Sequence, residues 1–515
     1  MFNINDKNLI NDICNEFSHT IEENEKSLKT DGVTLVHPID KEVRDKLNNL
    51  ITSGKETMEY SQVKELDNLW IMLMNKSIKC LRLFDTREPF LKNCKKTPVA
   101  YGLDKLKKYH NRYSAFESLL YGASSYYRDH VFHAVRTWML GIFCLLKPMN
   151  NQKFIDKITI DGCSNEQFTK NINFFEKISM WTVIALCHDL GYPLEKSQQI
   201  LDKTQQMMQE FIPNPNIWNN FTFSGVQDNI NEYIIKFMST KMVLAKTSER
   251  TNESENIENV EDKSEYNKYN SNLYYGRVQP KYYLKYTKSL EHFDHGIISS
   301  TIIYKMLLYF LESDFNLNDD YEYKYEDARQ FFIRREMLRA MASHTCSDIY
   351  NIYLTTFSSI LFLCDELQEW GRKSWNELYC GLQPNAVKLS IDKFTPNEVN
   401  VCEEINMEQV DEEDIFIENL KRIFQRQYEH YKVIFRDGQY TEARQFNFIK
   451  KMKIQLKQSG TQENNIEINY ALNAQDTDKF EINLEKSYQY NKDEAKQKIK
   501  SSLEYSEYFE KVKIN

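Results

Sequence analysis

The chain has 515 residues, 66 Lys and Arg against 75 Asp and Glu, a net charge of −9 and a pI near 5.7. That balance disfavours a long nucleic-acid partner, whose backbone selects basic surfaces, yet admits a small anion received by metal ions or a few local cations. Ten scattered cysteines without a Cys-x-x-Cys pair, and a polar start without a secretory leader, point to a reducing, cytoplasmic setting; the longest apolar run, "WMLGIFCLL", is half of the roughly 20 residues a membrane span needs.

Residues 1 to about 115 read as an N-terminal helical region, clearest in "LDNLWIMLMNKSIKCLRLF", where apolar positions recur at helical spacing. A central region follows, from 116 to about 380. In "YYRDHVFHAVRTWML", His130 and His133 are three apart and are expected on one helix face, beside Phe132, Val135, Met139 and Ile142. In "WTVIALCHDLGYPLEK", His188 extends the inward stripe Ile178, Trp181, Ile184 and Ala185, and Asp189 follows it; Gly191 and Pro193 then end the helix. A regular helix separates neighbouring side chains by about 100°, so a break there lets both polar groups turn toward one point.

An insertion is expected at about 205–290, with the polar stretch 246–272 as a mobile surface loop. His295 opens the apolar "HGIISSTIIYKMLLYFL", His344 continues Met337 and Met341, and Asp365 closes "SSILFLCDELQEWGR", with Glu369 and Arg372 expected further along its face. From 381 to 515 the pattern changes to a small α+β appendage. "VKLSIDKF", "MKIQLK", "NIEINYAL" and "FEINLE" alternate with period two and read as strands, "NLKRIFQRQYEHYKVIF" as a helix, and the acidic run 403–418 as a solvated face or loop. The fold class is mainly α.

Taken singly, an inward histidine is a hydrogen-bonded core residue and an Asp at a helix end is a cap. Repetition alters the reading: five helical segments each bring an imidazole or a carboxylate to the core edge. Buried groups of this kind are costly to desolvate, and a shared cation compensates several at once. Imidazole and carboxylate without thiolate suit Fe, Mn, Zn, Co or Ni, or Mg if water completes the coordination.

The ordered set His133, His188-Asp189, His295, His344, Asp365 resembles the HD-domain metallophosphohydrolase superfamily, in its variant with two further histidines between the HD pair and the last Asp. The resemblance covers about residues 116–380, and "YRDHVFH", "HDLGYPLEK" and "CDELQEWGR" are similar to a bacterial-type group of HD proteins. It implies a helical HD-domain core and two divalent ions, one held by His133, His188, Asp189 and Asp365, the other by Asp189, His295 and His344. It further implies a metal-bridging hydroxide attacking a nucleotide phosphoester, as a phosphodiesterase for a cyclic mono- or dinucleotide or as a phosphatase. "HAVR" is similar to the family's first-ligand segment and favours His133 over His130. Where many members carry a phosphate-binding Lys, this chain has Tyr192; Lys196, Arg372 and Arg128 are the candidate phosphate cations. His292 is a candidate neighbour of the metal site, Cys187, Cys364, Trp181 and Trp370 read as packing residues, and oligomerisation is open. The same ligands serve di-iron oxygenases of the superfamily, and a non-catalytic nucleotide sensor or scaffold is the third reading.

Overall fold

A computed structural model describes residues 1–28, 35–51, 55–83, 102–123, 129–159, 172–209, 226–246, 273–307, 310, 322–346, 348–349, 355–372, 386–408, 447–457, 463–473, 479–485 and 512–514. It is mainly helical through residue 372. The helices are α1 (Asp6–Asn11), α2 (Ser18–Ser27), α3 (Lys41–Asn48), α4 (Val63–Leu83), α5 (Leu103–Ala123), α6 (Val131–Leu146), α7 (Phe174–Cys187), α8 (Tyr192–Gln209), α9 (Val226–Ser239), α10 (Pro280–Glu291), α11 (His295–Met306), α12 (Tyr325–Ser343) and α13 (Phe357–Leu367). None of the described helices is long and apolar enough to cross a membrane.

Local chemistry explains where the central helices begin. Asn173 and Glu176 form a reciprocal capping box at the start of α7, and the Thr356 hydroxyl accepts from Ser359 N at the start of α13. Their faces then dictate packing. Every side chain of α6 is buried, and α6 lies against α7 so closely that a Cβ on Gly141 would sit 1.9 Å from the Trp181 ring. Trp181 Nε1 donates to Trp138 O at 3.0 Å, and Trp138 Nε1 to Thr182 Oγ1 at 3.0 Å, so both indoles pack with their polar atoms satisfied. α7 also packs on α4 and α12, while α12 packs on α11 and α13. One connected cluster of buried side chains runs from Ile4 to Val401, through all three regions outlined by the sequence.

A seven-stranded sheet lies beyond the helices. Its order is β1 (Phe2–Ile4), β5 (Ala386–Phe394), β6 (Glu398–Glu408), β7 (Asn447–Lys457), β8 (Glu463–Asn473), β9 (Lys479–Glu485) and β10 (Val512–Ile514). A smaller sheet joins β2 (Thr240–Lys246), β3 (Leu273–Val278) and β4 (Tyr323–Lys324). The four alternating segments read as strands lie in β5, β7, β8 and β9. The acidic run departs from its reading: residues 403–408 belong to β6, which pairs with β5 and β7, and Glu403 is buried against Lys450 at 2.8 Å. Val399 and Val401 alternate into the core and carry the acidic residues into the sheet with them. The first residues of the chain supply β1, antiparallel to β5 with Phe2 opposite Ile391. The loop at 247–272, the helix at 419–435, the rest of the acidic run and Arg128 lie outside the described residues.

Candidate metal centre

Helix ends build the site. A helix C-terminus leaves carbonyls without amide partners. At the end of α7, His188 Nδ1–H donates to Ala185 O at 2.8 Å; at the end of α12, His344 Nδ1–H donates to Met341 O at 2.6 Å. One contact thus satisfies an orphan carbonyl and fixes the tautomer, turning each Nε2 lone pair inward. His133, on the first turn of α6, donates its Nδ1–H to Gln368 Oε1 at 2.5 Å, and Gln368 is itself oriented by donating Nε2 to Trp370 O at 2.8 Å. His295, first residue of α11, donates its Nδ1–H to Glu195 Oε2 at 2.6 Å, and the same oxygen accepts its backbone N–H at 3.0 Å.

Four Nε2 atoms therefore converge on two carboxylates. Asp189 divides between them: Oδ2 lies 3.2 Å from His188 Nε2 and 3.7 Å from His133 Nε2, while Oδ1 lies 3.2 Å from His295 Nε2 and 3.6 Å from His344 Nε2. Asp365 Oδ1 lies 2.7 Å from His133 Nε2 and 3.6 Å from His188 Nε2. The sets His133–His188–Asp189, His188–His344–Asp365 and Asp189–His295–His344 each hold ligand atoms within 4.8 Å of one another. The six sequence-predicted ligands are thus brought together.

Two details test whether these residues fit a cation. His188 Nε2 is buried and has no hydrogen bond of acceptable geometry among the described residues, although it lies between two carboxylates. His344 Nε2 and His295 Nε2 face each other at 3.2 Å, an arrangement in which two neutral lone pairs repel and only a proton or cation between them reconciles the contact. A buried site of nitrogen and oxygen donors without sulfur suits a divalent ion of intermediate hardness.

The electrostatics agree. Burial alone would depress the His188 imidazole, but Asp189 and Asp365 outweigh it and raise its pKa to about 10. Burial likewise opposes His295, which Asp189 and Glu195 raise to about 9. Burial would raise the two aspartates; His188 and its neighbours hold Asp189 well below its usual value, and His133 and His188 do the same for Asp365. His344, where burial dominates, is lowered. The pocket favours ionised carboxylates surrounded by positive charge, which protons or metal ions can supply.

Glycines permit this convergence. A Cβ on Gly191 would meet His295 O at 2.3 Å, and one on Gly296 would meet Met341 O at 2.5 Å and His344 Nδ1 at 2.9 Å. Gly191 N also donates to Ser299 Oγ at 2.8 Å, fastening the turn after Asp189 to α11. Pro193 does not end α7; it stands in the first turn of α8, where its missing N–H is harmless.

Other predicted residues sit differently. His130 is not on the face of α6 but precedes it as N-cap; its buried ring lies tilted against that of Tyr192, centroids 4.1 Å apart, outside the three ligand sets. Because α13 ends at Leu367, Glu369 and Arg372 lie beyond the helix rather than along its face, and Gly371 at φ +71° turns the chain between them. Arg372 Nε is buried without a hydrogen-bond partner among the described residues. Lys196 Nζ lies 2.5 Å from Glu195 Oε1 and above the Tyr192 ring, one step from the ligands. Burial would raise Glu195, yet His295 and Lys196 lower it to about 2. His292 is exposed, and Cys187, Cys364, Trp181 and Trp370 are buried. Glu195 and Gln368, the partners of His295 and His133, were missed; the only sequence signal was their position six residues after Asp189 and three after Asp365.

No family model, curated protein or solved structure matches the chain.

Proposed function

We propose that this chain is a metal-dependent phosphohydrolase of the HD-domain superfamily, with two divalent ions at the helix ends and a small nucleotide phosphoester as substrate. The observation that carries the reading is Asp189, whose two oxygens face different imidazole pairs, as a carboxylate shared by two cations requires. Divalent ions there would supply Lewis acidity and an activated water at neutral pH, with neutralisation of phosphate oxygens. The chain's own part is orientation: Ala185 O, Met341 O, Gln368 and Glu195 hold the four imidazoles with Nε2 inward. Arg372 offers a planar donor fork for phosphate oxygens.

Exposure sets the approach. His133, His188 and His344 are closed off at 1, 0 and 2 %, whereas His295 and Asp365 retain 18 and 24 %. Substrate would approach past those two, the most exposed of the six ligands. A cytoplasmic setting belongs to the same proposal, in keeping with seven described cysteines that are buried and free.

The test incubates Mn-, Fe- and Mg-loaded protein with a panel of cyclic and linear nucleotides beside Asp189→Ala. Release of phosphate or linear nucleotide that disappears in the variant is expected. Release that survives the substitution, or oxygen uptake by the Fe-loaded protein without phosphate release, overturns the reading, the latter in favour of the di-iron alternative.

A further inference from the structure

Helix α5 contributes none of the ligands, yet one of its faces is anchored to residues beside them. Tyr109, Tyr113 and Glu117 follow at intervals of four, which stacks them on one side of a helix. The Tyr109 hydroxyl donates to Leu190 O at 2.7 Å, one residue past Asp189. At the other end, Glu117 accepts the backbone N–H of His130, and its Oε1 lies 3.8 Å from His130 Nδ1. The His130 ring lies tilted against that of Tyr192, whose ring centroid is 5.4 Å from that of His295. Tyr113 lies between these two anchors, and α5 packs on both α8 and α11.

Tyr113 is only 6 % exposed, and its hydroxyl has no hydrogen-bond partner among the described residues. A buried hydroxyl left unpaired is unfavourable, so a fold that keeps one on a helix face anchored to Leu190 on one side and His130 on the other has a use for it. Burial pushes this hydroxyl well above its ordinary pKa, and Glu117 and Asp189 push it the same way, so at neutral pH it remains O–H and can donate. Another buried donor without a hydrogen-bond partner among the described residues is Arg372 Nε, seven residues after Asp365 and directly after the turn at Gly371.

We propose that the Tyr113 hydroxyl is a ligand-binding donor of the metal pocket and that, together with Arg372 Nε, it hydrogen-bonds the non-bridging oxygens of a phosphoryl group held at the His/Asp cluster. The proposal rests on the phosphohydrolase reading and extends it, because it moves the substrate wall onto a helix N-terminal to the ligand-bearing segments. A neutral O–H acting together with a guanidinium grips a tetrahedral oxyanion by direction as well as by charge, so affinity follows phosphate geometry and not net charge alone.

The probe is inorganic phosphate, titrated calorimetrically into full-length Mn-loaded protein, with Tyr113→Phe retaining the ring and removing only the hydroxyl. The variant is expected to bind the same amount of Mn, to unfold in its metal-free form at an equal or higher temperature, and to bind phosphate roughly tenfold or more weakly, as loss of a hydrogen bond to a charged group predicts. Arg372→Met should weaken phosphate binding to a similar extent without changing Mn content. Equal phosphate affinity in Tyr113→Phe and wild type overturns the assignment of Tyr113 alone. Lower Mn content or a lower metal-free melting temperature in Tyr113→Phe also overturns it, showing a structural hydroxyl. No phosphate binding by wild-type Mn-loaded protein overturns both this proposal and the phosphohydrolase reading.

Discussion

Asp6 offers the most direct test of how the site is supported. Its carboxylate is fully buried and accepts from Arg136 Nε at 3.0 and 3.1 Å, Arg136 Nη2 at 3.0 Å, Trp370 Nε1 at 2.9 Å and Met58 N at 2.8 Å. Arg136 is also buried, and its Nη1 donates to Gly371 O at 3.0 Å. One carboxylate thus joins the N-terminus, the helix that carries His133 and the turn that follows Asp365. Asp6→Asn keeps the volume but removes the charge, and it sets an NH2 against a ring of donors. Breaking a buried pair by altering one partner costs about 3–5 kcal/mol, because the remaining charge is left uncompensated. At roughly 2–4 °C per kcal/mol for a cooperative unit of about 150–250 residues, thermal unfolding should fall by about 6–20 °C. Arg136→Met in the same chain removes the stranded cation, so Asp6→Asn/Arg136→Met should be more stable than Asp6→Asn alone. Thermal and urea unfolding of the four proteins completes the cycle. A loss below about 1 kcal/mol for Asp6→Asn, or no recovery in the double variant, would refute the reasoning.

Three further outcomes are expected. His295→Ala and His344→Ala should each lower bound metal from two to about one per chain by elemental analysis, while Glu195→Gln, which leaves His295 an acceptor but removes the charge, should weaken metal binding by about 10–100-fold; unchanged stoichiometry would mean a single-ion site. Gly296→Ala places a Cβ 2.5 Å from backbone Met341 O and should lose metal binding together with stability, whereas wild-type metal content would show that α11 and α12 can separate without penalty. Burial lowers His110, stacked on Trp70 at 4.0 Å, to about 3. Below its ordinary value near 6.5 the unfolded chain takes up a proton that the fold refuses, so this contribution to stability is intact above that pH and is lost as pH falls from 6.5 toward 3, by at most about 1.4 kcal/mol per unit. His110→Phe should flatten that part of the urea-unfolding profile; superimposable slopes would contradict it.

Much of the local architecture could be read along the chain. Apolar recurrence over residues 66–84 marked most of α4, and period-two alternation marked β5 and β7 to β9, because each pattern records which face of its own segment meets the core. The same periodicity turned His188 inward at the end of α7, where Gly191 allows the chain to turn. Partners were another matter. Nothing near Asp6 announces that it meets Trp370, 364 residues away, and nothing near Glu195 announces His295. His130 and His133 share a spacing that predicts one helix face, yet α6 begins between them and sends their rings to different neighbours. Arg372 similarly leaves the face of Asp365 because α13 stops at Leu367. The divided carboxylate of Asp189 and the hydroxyl of Tyr113 exist as a site only once α5, α7, α11 and α12 are packed together. Sequence spacing determines the direction in which a side chain leaves its own helix, whereas the group it meets is decided by how separate helices close on one another, a contact to which distant parts of the chain contribute equally.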